Sequence, residues 1–207
     1  MLARSQQSLD AVAEGLPPKA TVNPIAADVS DAEAVKKAFQ AIDADLGPVS
    51  ILVNHASAAS WKGIIDSTLE EFETAWRVSV LGAFHCSRAV IPGMLSAGSG
   101  TILFTGATSS IRGRKGSVGF SSAKFGSRGL ADSMARELWP MGVHVAHIII
   151  DGLIETPRVR SEFEPDDDEP MLNPEAMAES YWHLVAQDRS SWTFELDLRP
   201  NAEAFFE

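Results

Sequence analysis

Ser30-Asp31-Ala32-Glu33-Ala34-Val35-Lys36-Lys37-Ala38-Phe39-Gln40-Ala41-Ile42-Asp43-Ala44-Asp45-Leu46-Gly47-Pro48-Val49-Ser50-Ile51-Leu52-Val53 is the stretch on which the fold turns. Ser30 and Glu33 have the spacing of a capping box, in which a hydroxyl and a carboxylate satisfy each other's free backbone N–H groups. Val35, Ala38, Phe39 and Ile42 follow at spacings of three and four, which predicts a helix over residues 31–46 with one apolar face and Gly47 past its end. Val49-Ser50-Ile51-Leu52-Val53 is then a short apolar run between Gly47-Pro48 and a series of small residues. That is the pattern of a parallel strand buried on both faces.

The alternation continues in both directions. Upstream, Ala20-Thr21-Val22-Asn23-Pro24-Ile25-Ala26 reads as a strand; Pro24 lacks the N–H that a central strand would donate, so this strand belongs at a sheet edge. Downstream, Thr68 and Glu71 cap a helix that runs through Phe72, Trp76, Val80 and Phe84, and Thr101-Ile102-Leu103-Phe104 gives another buried strand. A helix over 120–138 and a strand from Val143 to Ile150 follow. Trp192 to Arg199 alternates apolar and polar, which makes 190–200 the last strand, at the opposite edge. Strands separated by helices of this length imply parallel pairing through right-handed crossovers, so the fold class is α/β with a doubly wound parallel sheet. Between Phe163 and Pro174, Asp166-Asp167-Asp168-Glu169 lies among prolines and reads as a solvated loop or as a flap over a substrate site.

The bulk composition bounds the function. With 207 residues and 45% hydrophobic content the chain suits one domain, 1–207. Acidic residues outnumber basic ones 28 to 17, for a net charge of -11, which disfavours nucleic acid as a partner because phosphate backbones are held by Lys and Arg. Cys86 is the only cysteine, cannot form an internal disulfide, and sits in an apolar helical pattern as a small core residue. Residues 1–7 lack the apolar run and cleavage site of a secretory signal, and no stretch reaches the roughly 20 apolar residues of a membrane helix, so a soluble cytoplasmic protein without a membrane partner is expected. His144 and His147 have odd spacing on one strand and face opposite ways, which argues against a shared metal. No metal site is expected.

Several segments, taken in order, resemble landmarks of the short-chain dehydrogenase/reductase family. Asp28-Val29 follows a strand where that family holds the adenine ring. Asn54-His55-Ala56-Ser57 is similar to Asn-Asn-Ala-Gly beside the cofactor, and Gly82 in Val78-Ser79-Val80-Leu81-Gly82 matches the helix carrying a structural asparagine. Asp151-Gly152-Leu153-Ile154-Glu155-Thr156-Pro157 resembles Pro-Gly-x-x-x-Thr, whose threonine contacts the nicotinamide end, and Phe120-Ser121-Ser122-Ala123-Lys124 occupies the Tyr-x-x-x-Lys position. The resemblance covers roughly residues 1–160 and implies a Rossmann-like sheet of order 3-2-1-4-5-6-7.

It implies departures too. The glycine-rich Thr-Gly-x-x-x-Gly-x-Gly turn that cradles the pyrophosphate does not occur in this sequence. Met1-Leu2-Ala3-Arg4 instead resembles the end of the family's second strand, with Ser8 to Glu14 as the next helix. The Rossmann-like domain is therefore expected to be N-terminally incomplete, with first strand, phosphate loop and first helix absent. Such a chain is either part of a longer protein or a shortened product. Without that strand the Pro24 strand cannot join the rest of the sheet, two buried edges stay unpaired, and the chain alone should be marginal or prone to aggregate.

The family's catalysis implies site residues. Its tyrosine phenol transfers a proton while nicotinamide exchanges hydride, a lysine binds the ribose and lowers the phenol's pKa, a serine polarises the carbonyl, and an asparagine holds a water. Here Phe120 stands at the tyrosine, Ser79 at the asparagine and Ala107 at the serine, with Thr108, Ser109 and Ser110 next to it; Lys124 alone is kept. Ser109, Ser121, Ser122 or a water on Lys124 would have to serve as proton donor. The cofactor contacts implied are Arg4, Asp28, Val29, Asn54, Ala56, Lys124 and Thr156. Arg4 favours NADP over NAD, because a basic residue after the second strand meets the 2′-phosphate. The function implied is an NAD(P)-dependent oxidoreductase acting on a small carbonyl or alcohol, slow or inactive in this chain as it stands. The alternative is a scaffold or binding protein without turnover. The substrate loop would be 155–175, and pairing through helices 68–90 and 120–138 would give a homodimer or homotetramer.

Overall fold

The computed structural model describes residues 1–17 and 19–202. A parallel sheet carries the fold, in the order β3 (Ile51–Asn54), β4 (Gly100–Thr105), β5 (Val143–Ile150) and β8 (Glu195–Leu198). All eight residues of β5 are buried, as a strand covered on both faces requires. Glu195–Leu198 takes the outer edge beside β5, where the alternation of the sequence places it.

A second, two-stranded parallel sheet pairs β1 (Leu2–Ala3) with β2 (Ile25–Ala26), followed respectively by α1 (Gln6–Glu14) and α2 (Ala32–Leu46). Among the described residues this pair is not hydrogen-bonded to β3, as the sequence implies. The expected strand over 20–26 shrinks to two residues, because β1 offers only Leu2 and Ala3 as partners. The expected burial of the free edges is corrected: Ile51 and Val53 of β3 are 37% and 43% exposed. The capping of α2 is also corrected. Asp31 is its N-cap and accepts from the N–H groups of Glu33 and Ala34, while the Ser30 hydroxyl turns back to Asp28.

Two apolar clusters sit on opposite faces of the sheet. One packs Val35 and Phe39 of α2, Cys86, Val90 and Met94, and Leu138 against Ile102, Phe104, Val143 and Val145. These helical residues come from α2, from α4 (Gly82–Ala97) and from α5 (Val118–Leu138). The other cluster packs Met177 and Leu184 of α7 (Pro174–Val185) against Leu103, Ala146, Ile148 and Ile150. Burial pushes the Cys86 thiol up to about 11, which fits its reading as a core residue.

The helical run Leu69–Ala97 begins with α3 (Leu69–Trp76), capped by the Thr68–Glu71 box. It passes through a π turn, Arg77–Leu81, before α4. By length and composition it could cross a membrane, which corrects the expectation that no segment could. Its buried side belongs to the first apolar cluster, the usual reason a core helix is this apolar. Gly82 is required where α4 begins, since a Cβ there would lie 2.7 Å from Cγ2 of Val29. Between β5 and α7 the chain forms a small parallel pair, β6 (Leu153–Ile154) with β7 (Met171–Leu172), bracketing the short α6 (Pro157–Phe163).

Candidate functional site

A cavity of about 740 Å³ opens at the C-terminal ends of β4 and β5, where an open parallel sheet offers a crevice between diverging loops. Thr105, Gly106 and Ala107 reach it from β4, Asp151 and Gly152 from β5, and Phe120 and Lys124 from α5. One turn of helix separates Phe120 from Lys124, so both point the same way, and the ammonium lies 5.5 Å from the centre of the Phe120 ring. Lys124 is only 5% exposed and donates to the carbonyl of Thr105 at 2.7 Å. Burial pushes its pKa down to about 8.

Of the residues singled out from the sequence, Lys124, Phe120, Ala107 and Ser109 meet in this cavity. Ser109 lies on a 3-10 turn, Thr108–Ser110, that is anchored from below: the Ser110 hydroxyl accepts the Ala107 N–H and lies 3.2 Å from Nε2 of the buried His147. The other two serines are committed elsewhere. Ser121 is hydrogen-bonded to Ser117 and to the N–H of Arg114, and Ser122 accepts from the Trp76 indole and donates to the Gly119 carbonyl. Neither lines the cavity, which removes them as proton donors.

The remaining sites disperse. Ser79 is buried in the π turn; among the described residues its hydroxyl has no hydrogen-bond partner, and its carbonyl accepts from Ser127. Asn54 donates to Ser87 and so ties β3 to α4. Arg4 and Asp28 stand at the β1–β2 pair; Asp28 is held below the usual carboxylate range by two hydrogen bonds from Ser30. Val29 is packed core beneath Gly82, and Ala56 is exposed on the loop after β3. Thr156 caps α6 by accepting from the Val159 N–H and lines a neighbouring apolar groove rather than the cavity. The pair of strand histidines faces opposite ways as expected: His144 stacks on Trp192, and His147 meets Glu195 and Ser110.

Three contacts at or beside the cavity join segments that are distant in sequence. Asp151, where the family has proline, accepts a hydrogen bond from Thr108 and forms an ion pair with Arg199 at 2.9 Å. The Thr105 hydroxyl lies 3.1 Å from Nδ1 of His55 and 2.9 Å from the Tyr181 hydroxyl, so the chain's sole tyrosine reaches β4 from the α7 face. Burial, helped by the charge of Lys124, lowers the His55 pKa, and burial raises that of Tyr181. Trp61, on the loop after β3, packs against Phe120. His55 and Asp151 lie in landmark segments of the sequence, but their partners, like that of Trp61, come from segments that no local pattern links to them.

The sequence profile of the short chain dehydrogenase family matches residues 1–167. The chain is 31% identical over 134 residues to the 3-oxoacyl-[acyl-carrier-protein] reductase MabA of Mycobacterium tuberculosis, covering 65% of this chain and 54% of that one. It spans about half the length of the curated relatives it matches. A crystal structure of a short-chain dehydrogenase from Rhodopseudomonas palustris superimposes with a TM-score of 0.77 at 33% identity, over 96% of this chain and 84% of the other. An NADPH-bound short chain oxidoreductase from Pseudomonas aeruginosa, described as having an atypical catalytic center, gives 0.87 at 25% identity over 99% and 86%. A profile match over most of the residues, on a parallel sheet whose lysine enters the crevice where the family's pattern puts it, makes this chain a member of the short-chain dehydrogenase/reductase family.

Proposed function

We propose that the protein is an NAD(P)-dependent oxidoreductase that reduces a small carbonyl compound or oxidises the matching alcohol. The observation that carries this reading is Lys124: a buried ammonium that donates to one acceptor among the described residues, the Thr105 carbonyl, and is presented to a crevice large enough for a small substrate. An ammonium has three N–H donors, so two are free for ribose hydroxyls, a water or a substrate oxygen. The residues therefore fit the ribose–nicotinamide end of the cofactor. The pyrophosphate end has no counterpart among these 207 residues, which hold no glycine-rich turn. When bound, the cofactor gives or takes the hydride.

Proton handling falls to the chain itself. Phe120 has no proton to give. With a pKa near 8, Lys124 can give one to a water or oxygen in the cavity at neutral pH and take it back, which meets the requirement that a general acid titrate near working pH. Ser109 lines the same space, which supports assigning its hydroxyl to polarise the carbonyl in place of Ala107. NADP is favoured over NAD by Arg4, exposed one residue past β1. The scaffold reading gains nothing from the relatives named above, a reductase, a dehydrogenase and an oxidoreductase by name.

The chain should bind NADPH more tightly than NADH by calorimetry, and Lys124→Met should weaken both. Phe120→Tyr should raise carbonyl reduction by about 100-fold or more, the usual contribution of a positioned general acid. No gain across a panel of aldehydes and ketones would point to the scaffold reading. We also propose self-association through the helices at 68–90 and 120–138, supported by the half-exposed Trp76, Leu81, Phe84 and Phe125 on those elements. Sedimentation of Phe84→Lys should show a lower mass than the unaltered chain.

A further inference from the structure

Three aromatic rings from three separate elements meet at the mouth of the cavity. Trp61 comes from the loop after β3, Phe120 from the first turn of α5, and Phe163 from the last residue of α6. Trp61 lies between the other two, its ring centre 5.1 Å from that of Phe120 at 55° and 6.2 Å from that of Phe163 at 79°. These are the tilted and edge-to-face geometries that the aromatic quadrupole favours. The cluster is not closed. Trp61 remains 51% exposed and Phe163 44%, and both line the crevice together with Phe120 and Lys124.

The corner is fixed before any ligand arrives. The carbonyl of Lys62 accepts the N–H of Val118, which ties the residue after Trp61 to the start of the helix carrying Phe120. The Lys62 ammonium pairs with Glu71 at 2.6 Å, and Glu71 belongs to the capping box of α3. Charge offers little selection by comparison, since the lining holds acidic and basic side chains together. What the cavity offers a ligand is a rigid, water-exposed aromatic surface.

We propose that Trp61, Phe120 and Phe163 form an aromatic wall that selects substrates whose reacting carbonyl or alcohol carries a flat aryl group. The proposal rests on the oxidoreductase reading for the word substrate, but the wall is a binding device and can be tested alone. Phe120 acquires a role through it: at the position where the family keeps a phenol, this chain keeps an unbroken apolar ring beside Trp61.

The test compares two ketones of similar size, acetophenone and cyclohexyl methyl ketone, binding to the full chain, measured by ligand-observed NMR titration without cofactor. Acetophenone should bind about 3- to 10-fold more tightly, the range that aromatic pairing adds beyond buried area. Trp61→Ala should bring the ratio towards one. Because that change could loosen the loop, Phe163→Leu, which keeps apolar volume on the short α6 and removes the ring, should also narrow the ratio. Equal binding of the two ketones, or a ratio that neither variant moves, overturns the wall. Aryl-selective binding with no NADPH-dependent reduction keeps the wall and defeats the oxidoreductase reading. Reduction of both ketones with equal kcat/KM does the reverse.

Discussion

β5 and β3 belong to one sheet and differ in every respect that decides stability. β5 has β4 on one side and β8 on the other, α5 over one face and α7 over the second, and no exposed residue. Among the described residues β3 is bonded only to β4 and has α4 against one face, while Ile51 and Val53 on its other face lie open beside the groove of α7. Their apolar composition is nearly the same. An apolar run therefore reports what a strand is built to bury, and the surrounding elements decide how much of that burial is realised.

The largest effect expected from that contrast is in β5. Ile148→Ala removes a side chain with no exposed surface and should cost about 2–5 kcal/mol, read as a lower urea midpoint at unchanged slope. A cost below that of a surface substitution would show that the α7 face is loosely packed.

The second effect comes from His147, also on β5. It is fully buried, with Nδ1 3.2 Å from Glu195, which is itself held by Arg128, and Nε2 on Ser110. Burial holds the imidazole down to about 4, against about 6.5 in an unfolded chain. Between those values the unfolded chain takes up more protons, so stability is full above about pH 6.5 and falls as pH drops towards 4, by at most about 3 kcal/mol. His147→Gln should flatten that window in a urea titration repeated from pH 7 to pH 4. β3 carries no such group, and its variants should keep the full acid dependence.

The same contrast explains what could be read from sequence. β5 was legible to the residue because a run from Val143 to Ile150 bounded by Gly142 and Asp151 has no other good solution. The strand expected over 20–26 was not, because a strand's length is set by its partner, and partnership is not written locally. In the site, the spacing of Phe120 and Lys124 on one helix placed both in the cavity. Asp151 with Thr108, and Tyr181 with Thr105, are 43 and 76 residues apart in sequence, and no periodicity links them. Ser121 and Ser122 failed as candidates for the opposite reason: proximity in sequence to Phe120 put them on other faces of α5, where Ser117 and Trp76 engage them.

A smaller effect concerns the loop between β3 and the helices. Thr68→Ala breaks the capping box of α3 and should cost about 1 kcal/mol. Because Glu71 also holds Lys62, next to Trp61, the loss should be accompanied by a red shift and a rise in solvent quenching of tryptophan emission. A stability loss with unchanged emission would mean that the Val118 N–H alone fixes the Trp61 corner.

The smallest expected effect is the most direct attack on the comparison. Val53 is a β-branched residue in the sheet, and by composition its replacement should matter as much as that of Val145, which has no exposed surface. But Val53 is 43% exposed, so Val53→Thr exchanges a methyl for a hydroxyl that water can reach, while both side chains keep the branching that suits a strand. The cost should lie within about 0.5 kcal/mol, the usual range for surface changes, and the open edge should become less prone to associate. Val145→Thr buries the same hydroxyl among apolar neighbours and should cost about 1–3 kcal/mol. Measured as a pair by urea unfolding at several protein concentrations, the two variants separate the contribution of the residue from that of its cover. Equal losses would mean that something covers β3 in solution.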